Sequence, residues 1–184
     1  MNAKNKQYIL AILLITIGVV LRVLEWIPNF SPLTAIALLG GAYLIDKKWS
    51  VIIPVISLLI GDVLLAFKHD YPFIHNTIFF VYISYIIIVF FGWKLRDEKV
   101  NYLKVGGFAL ASSVLFFTIS NFGVWIVGTL YERNLVGFIK CFTLAIPFYK
   151  YTFLSDVLYS LVFFGIFDAV KSATFGKVAP VTAK

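Results

Sequence analysis

The chain reads as an all-α integral membrane bundle, a single transmembrane domain over residues 1–184. Three observations predict that class. First, 61% of its 184 residues are hydrophobic and only 14% are charged, against roughly 25% charged in a soluble domain; mean hydropathy is +0.93. Second, the apolar residues come in runs near the length that crosses a bilayer, where about 20 helical residues span a hydrocarbon core of roughly 30 Å. Third, the sixteen Lys and Arg residues sit in short clusters between those runs. That clustering also argues against the nucleic-acid reading invited by a formal charge of +7, since no basic face exists to follow a phosphate backbone. The one cysteine, Cys141, excludes an internal disulfide and any Cys-pair metal site.

Six segments are predicted to cross. The first, about Tyr8–Ile27, follows the charged start MNAKNKQ and lacks a small-x-small cleavage site, so it reads as a retained helix rather than a signal peptide. The second, about Ser31–Ile45, is short; Pro32 suits a first helical turn, and Gly40-Gly41 lie near its end. The third runs about Trp49–Phe67, the fourth Thr77–Trp93, the fifth Val105–Val127 and the sixth Tyr151–Phe167. Between the last two lies NLVGFIKCFTLAIPF, 134–148, with one charge. It falls short of a full span and reads as a short interfacial or re-entrant helix between helices five and six; a true crossing there would overturn the topology. There is no convincing internal repeat and no low-complexity linker.

Orientation follows from the basic residues, which concentrate on the cytoplasmic side of a membrane protein. With both termini inside, Lys4, Lys6, Lys47, Lys48, Lys94, Arg96, Lys99, Lys104, Lys171, Lys177 and Lys184 face the cytoplasm, eleven of the sixteen. Arg22, Lys68, Arg133, Lys140 and Lys150 remain outside. Trp26, Trp49, Trp93 and Trp125 stand at segment ends, where aromatic belts form.

The polar residues collect at one level of this topology, just inside the outer interface. Arg22 and Glu25 end the first segment, three apart and on one helical face. Asn29 and Ser31 follow in IPNFSP, Asp62 lies in the outer third of the third segment, and KHDYPFIHN carries His69, Asp70, His75 and Asn76. Ser120, Asn121 and Trp125 end the fifth segment; Asp156 and Tyr159 begin the sixth. The inner halves are almost wholly apolar apart from hydroxyls such as Ser112 and Ser113. Ionisable groups in spans usually face a bundle interior or a wet cavity, so this pattern predicts an outward-facing solute site over a dry floor. A channel would need polar groups at every depth. Each residue also carries a structural reading. Asp62 and Asp156 could pair with Arg22 or Lys150 to brace helices, Asn121 could bond a neighbouring backbone, and His69 and His75 could be ordinary loop residues. Glu132-Arg133 reads as a solvated loop pair and Cys141 as a small packing residue. No HExxH, P-loop, GxSxG or CxxC motif is present, and His69 and His75, six apart, suit a metal only loosely.

Five stretches taken in order, IPNFSPLTAIALLGGAYL, PVISLLIGDVLLAF, VYISY, TISNFGVWIVGTLY and CFTLAIPFYKYTFLSDVLY, resemble the family of small bacterial membrane proteins related to BtuM, the predicted cobalamin transporter. That family is similar in fold to the S-components, the substrate-binding subunits of energy-coupling-factor vitamin transporters. The resemblance covers nearly the whole chain. It implies an S-component-like bundle of six helices in the bacterial cytoplasmic membrane, both termini inside, with a cavity near the outer face. It carries Asn29, Phe30 and Pro32, Asp62, Asn121 with Gly123 and Trp125, and Ser155, Asp156 and Tyr159 over as matching positions. The family's cysteine implicated in binding corrin cobalt has no counterpart in the loop between helices three and four; His75 there could serve as cobalt ligand for a corrinoid. The small-residue pattern with which S-components dock their energising partner is not evident in AILLITIGVV.

The expected function is therefore binding of a small solute, such as cobalamin or another vitamin, and its uptake. The ligand-binding set is Asn29, Asp62, His75, Asn121, Trp125, Asp156 and Tyr159, with no resident metal or cofactor and no catalytic residue. The partners are the lipid bilayer, the solute and an energy-coupling ATPase module. Two rival classes stay open. One is a membrane enzyme modifying its ligand, with Cys141 or the His69/His75 loop reactive. The other is a structural subunit of a membrane complex, its polar layer serving only packing.

Overall fold

The computed structural model describes residues 3–24, 27–44, 46–97 and 99–175, the side chains at 3, 4, 174 and 175 excepted. Glu25, Trp26, Lys177 and Lys184, read above as interfacial or orienting residues, lie outside the described residues. Six helices follow in order: α1 (Ala3–Leu24), α2 (Leu33–Tyr43), α3 (Lys47–His69), α4 (Ile78–Trp93), α5 (Tyr102–Val127) and α6 (Leu135–Phe175). Short polar side chains set several boundaries. Asp46 accepts hydrogen bonds from the N–H groups of Lys48 and Trp49 at 2.8 and 3.1 Å. Asn101 accepts from Lys104 N–H at 3.0 Å and Asn134 from Gly137 N–H at 2.8 Å, so each satisfies donors that a helix start leaves unpaired. Asp70 closes α3 in the left-handed region, φ 53°.

Side-chain contacts give the helices alternating directions. Lys68 Nζ donates to the carbonyls of Val23 and Leu24 at 2.8 and 3.3 Å, tying the ends of α1 and α3. Phe80 meets Phe122, joining the start of α4 to the end of α5, and Tyr102 donates to Asp168 at 3.4 Å, joining the start of α5 to the last turns of α6. One end of the bundle, the mouth end, thus collects the ends of α1, α3 and α5.

Four helices (α1, α3, α5 and α6) are long and apolar enough to cross a membrane; α2 and α4 are apolar but shorter. Of the six predicted segments, four are thus long helices and two are short, the second as short as the sequence predicts. The stretch 134–148 is no separate interfacial or re-entrant helix. It is the first third of α6, 41 residues long and about 60 Å at 1.5 Å per residue. An aromatic seam with α5 holds that extension: Trp125 against Phe138 at 5.3 Å between centroids, Phe117 against Phe142 at 5.7 Å and Phe117 against Tyr149 at 4.5 Å. Pro147 is accommodated inside it.

The short α2 organises the rest. Nine of its eleven residues are buried, and it spans only about 16 Å. Lipid offers little hydrophobic drive for helices to associate, so close backbone approach and hydrogen bonds matter more. Gly41 and Gly92 supply that approach between α2 and α4: a Cβ on Gly41 would lie 2.2 Å from the Val89 carbonyl oxygen and 2.9 Å from Gly92 Cα. Arg96 donates from Nε to the Gly41 carbonyl and from Nη2 to that of Leu44, both at 2.9 Å, closing the C-terminus of α2. Tyr43 stacks on Phe167 at 3.6 Å. These contacts close the C-terminus of α2 at the end of the bundle opposite the mouth, and because α2 begins only at Leu33, its place toward the mouth is left to the 27–32 turn and to empty space.

Candidate functional site

That space is a cavity of about 310 Å³, at the low end of the 300–1,000 Å³ typical of small-molecule sites. Four of the seven predicted site residues line it: Asn29, Asp62, His75 and Asp156. Asn29 stands in the left-handed region, φ 63°, a conformation that Asn tolerates better than most residues. Its turn, closed by Phe30 N–H to the Ile27 carbonyl at 3.0 Å, carries Phe30 and Ser31 into the cavity wall. His75 is an exposed residue of the wall, its Nδ1 2.9 Å from the Thr77 hydroxyl.

Asp62 sits in a complete network. Arg22 Nη2 binds its Oδ1, Tyr82 donates to its Oδ2 at 2.9 Å, and Arg22 Nη1 donates to the Leu58 carbonyl at 3.1 Å. Gly61 makes the room, since a Cβ there would lie 2.7 Å from Arg22 Nη1. Of the sequence readings for Asp62, the pairing with Arg22 is the one observed, and it ties together α1, α3 and α4. Tyr82 was not among the predicted residues; the only signal was its place in VYISY.

Asp156 differs. It is 3% exposed, Oδ2 has no hydrogen-bond partner, and among the described residues no Lys, Arg or His pairs with it. Thr34 of α2 and Ser113 of α5 are the hydroxyls beside it. Lys150, suggested as a partner, instead lies over the Tyr151 ring at 4.8 Å. The hydroxyls of Ser31 and Tyr85, which share the cavity wall, are also buried without partners. Buried polar groups are ordinarily satisfied, so with Asp156 Oδ2 they make three polar atoms in this wall with bonding capacity left over.

Asn121, Trp125 and Tyr159 do not line this cavity. Asn121 lines an adjoining hollow of about 250 Å³ that shares Asn29, Phe116 and Thr152 with the first. Its amide donates back to the Phe117 carbonyl at 2.8 Å, so its nitrogen is satisfied within its own helix. Trp125 Nε1 donates to the Glu132 carbonyl at 3.1 Å and its ring packs between Phe122 and Phe138. Tyr159 packs on Phe30 at 5.5 Å, behind the cavity wall. Nor do the polar groups share one depth. Asp156 lies beside Ser113, eight residues and about 12 Å along α5 from Asn121. Starting the sixth helix at Tyr151 placed this acid near its beginning, whereas it stands 21 residues beyond Leu135.

The histidine loop gathers no metal site: His69 stacks with Tyr71 at 6.2 Å, Asp70 ends α3, and among the described residues no group of three His, Cys, Asp or Glu could hold a metal ion. Cys141 is buried, its Sγ 3.5 Å from the Asn121 carbonyl in the α5–α6 seam.

Fold and site together define a multi-pass helical membrane protein with a cavity open toward one end of the bundle and closed at the other. Over residues 2–180 the chain matches a family of unknown function designated DUF6580, and it belongs to that family. No curated protein and no solved structure matches it. The bundle agrees broadly with the S-component-like arrangement expected from the sequence.

Proposed function

We propose that this protein binds a small solute from outside the bacterial cytoplasmic membrane and mediates its uptake. The observation that carries the reading is the set of buried, unpartnered polar atoms around one cavity that is open at the mouth end. The bias of basic residues toward the other end, including Lys47, Lys94, Arg96, Lys99 and Lys104, supports both termini lying in the cytoplasm. The cavity volume favours a small solute over one as large as a corrinoid, so among vitamins the reading leans away from cobalamin. Uptake against a gradient needs an energy source, and the sequence has no P-loop; an ATPase module, an ion gradient or trapping of the solute inside would supply it. We rank catalysis below binding, because the hydroxyl–imidazole contact at the wall, Thr77 with His75 at 2.9 Å, is exposed to solvent rather than enclosed with a solute.

The test is retention of a solute. The full-length chain, purified in lipid nanodiscs, is extracted and its small molecules identified by mass spectrometry, beside Ser31→Trp, whose indole would fill the cavity. The expected result is a solute enriched with the parent protein and depleted in a folded Ser31→Trp variant. Equal small-molecule content in the two, together with unchanged uptake by cells expressing either, would overturn the proposal.

A further inference from the structure

The charges in the cavity wall do not balance. Among the described residues of the wall, Arg22 is committed to Asp62, no lysine is present, His75 stands at an exposed position, and Asp156 is the acid left without a counter-charge. An anion entering the cavity would be pressed against that buried carboxylate. A neutral apolar body would leave Oδ2 and the hydroxyls of Ser31 and Tyr85 dry and unpaired, which is costly for buried polar groups. The α2 helix starts beside Asp156, through Thr34, with no side-chain cap. The positive end of its dipole partly offsets the cost of a carboxylate there, so the charge need not be cancelled before a solute arrives. Phe30, Tyr85 and Phe116 add aromatic faces to the wall, and aromatic faces attract cations.

We infer that the cavity accepts a small organic cation, its N–H-bearing positive group seated on Asp156 and its apolar body against Phe30, Tyr85 and Phe116. The inference rests on the solute-binding reading above and narrows it. A group with N–H donors fits better than a quaternary ammonium, because the unpartnered carboxylate oxygen and hydroxyls can each accept a hydrogen bond.

Three probes of nearly equal size and different charge test it: tryptamine (cation), tryptophol (neutral) and indole-3-acetate (anion), titrated by equilibrium dialysis against the full-length chain in nanodiscs. Tryptamine is expected to bind at least tenfold more tightly than tryptophol, and indole-3-acetate more weakly still. Asp156→Asn is expected to erase the tryptamine preference while leaving helicity and elution volume unchanged. Should that variant fail to fold, the ranking of the three probes on the parent protein decides the matter. Tryptophol or indole-3-acetate binding as tightly as tryptamine, or no probe binding at all, overturns the cation assignment. A neutral or anionic solute found retained by the purified protein overturns it too, yet leaves solute binding intact. Absence of both a retained solute and probe binding removes the underlying reading as well.

Discussion

Two acids share one cavity and live in opposite circumstances. Asp62 is ringed by Arg22 and Tyr82, so both of its oxygens are engaged by side chains from two other helices. Asp156 is more deeply buried, yet one oxygen has no partner and, among the described residues, no basic side chain pairs with it. A carboxylate that is paired as it folds behaves as part of the scaffold; one left unsatisfied is a standing cost that scaffolding does not explain. The comparison makes Asp62 part of the scaffold and is the ground for proposing Asp156 as the solute contact, although the sequence alone presented them as equivalent.

The largest effect should come from the Asp62 side. Arg22→Ala strands a partly buried carboxylate, and breaking such a pair by removing one partner costs about 3–5 kcal/mol. Thermal unfolding in detergent should show the loss, and Arg22→Met with Asp62→Leu together should restore most of it, since a well-packed apolar pair avoids desolvating two charges. If Arg22→Ala were as stable as the parent, the network would be ornamental and the contrast between the acids would collapse.

Next in size is Tyr82→Phe. It keeps the ring in place and deletes one hydrogen bond to a charged group, worth about 1.5–3 kcal/mol. The variant should unfold at lower temperature with its tryptamine affinity within about twofold of the parent. An equal loss of affinity and stability would move Asp62 from scaffold to site.

How much of this contrast was legible in the sequence depends on geometry that periodicity does not carry. Helix existence and order were legible, because each apolar run is separated from the next by turn and charge signals. Boundaries were not: Lys47, Lys48 and Tyr102 belong to helices although they are polar or interfacial, since a helix continues past the hydrocarbon until a cap such as Asp46 or Asn101 marks its end. The length of α6 was hidden by Pro147, a residue that usually ends a helix and here does not. That one misplacement set Asp156 too near the mouth and put it level with Asn121. The pairing of Arg22 with Asp62 spans forty residues of chain; the sequence offered it as one reading among several, and only the α1–α3 packing selects it. Asn29, Asp62, His75 and Asp156 were nevertheless found, because polar residues in apolar runs are conspicuous whatever the exact boundaries.

Asn29 gives a smaller and more local test, on the turn that carries Phe30 into the wall facing Asp156. At φ 63° a Cβ-bearing residue without a short polar side chain costs about 1–2 kcal/mol. Asn29→Ala should therefore lower stability by roughly that amount, whereas Asn29→Gly, which enters the left-handed region freely, should match the parent. Equal loss in both variants would instead assign the effect to the amide's own contacts.

The smallest expected effect on stability is the most informative. Asp156→Asn removes a buried charge and keeps its shape, and the amide brings a donor to hydroxyls that can accept it. Unfolding should shift by less than about 1 kcal/mol, and the sign should favour the variant, because burying a charge without a counter-ion is among the costlier arrangements in a folded chain. Binding sites commonly carry such a cost in exchange for function. Scanning calorimetry of the two proteins in the same nanodiscs reads it directly. A loss comparable to that of Arg22→Ala would make Asp156 a brace like Asp62, and the two halves of the cavity would then differ in depth alone.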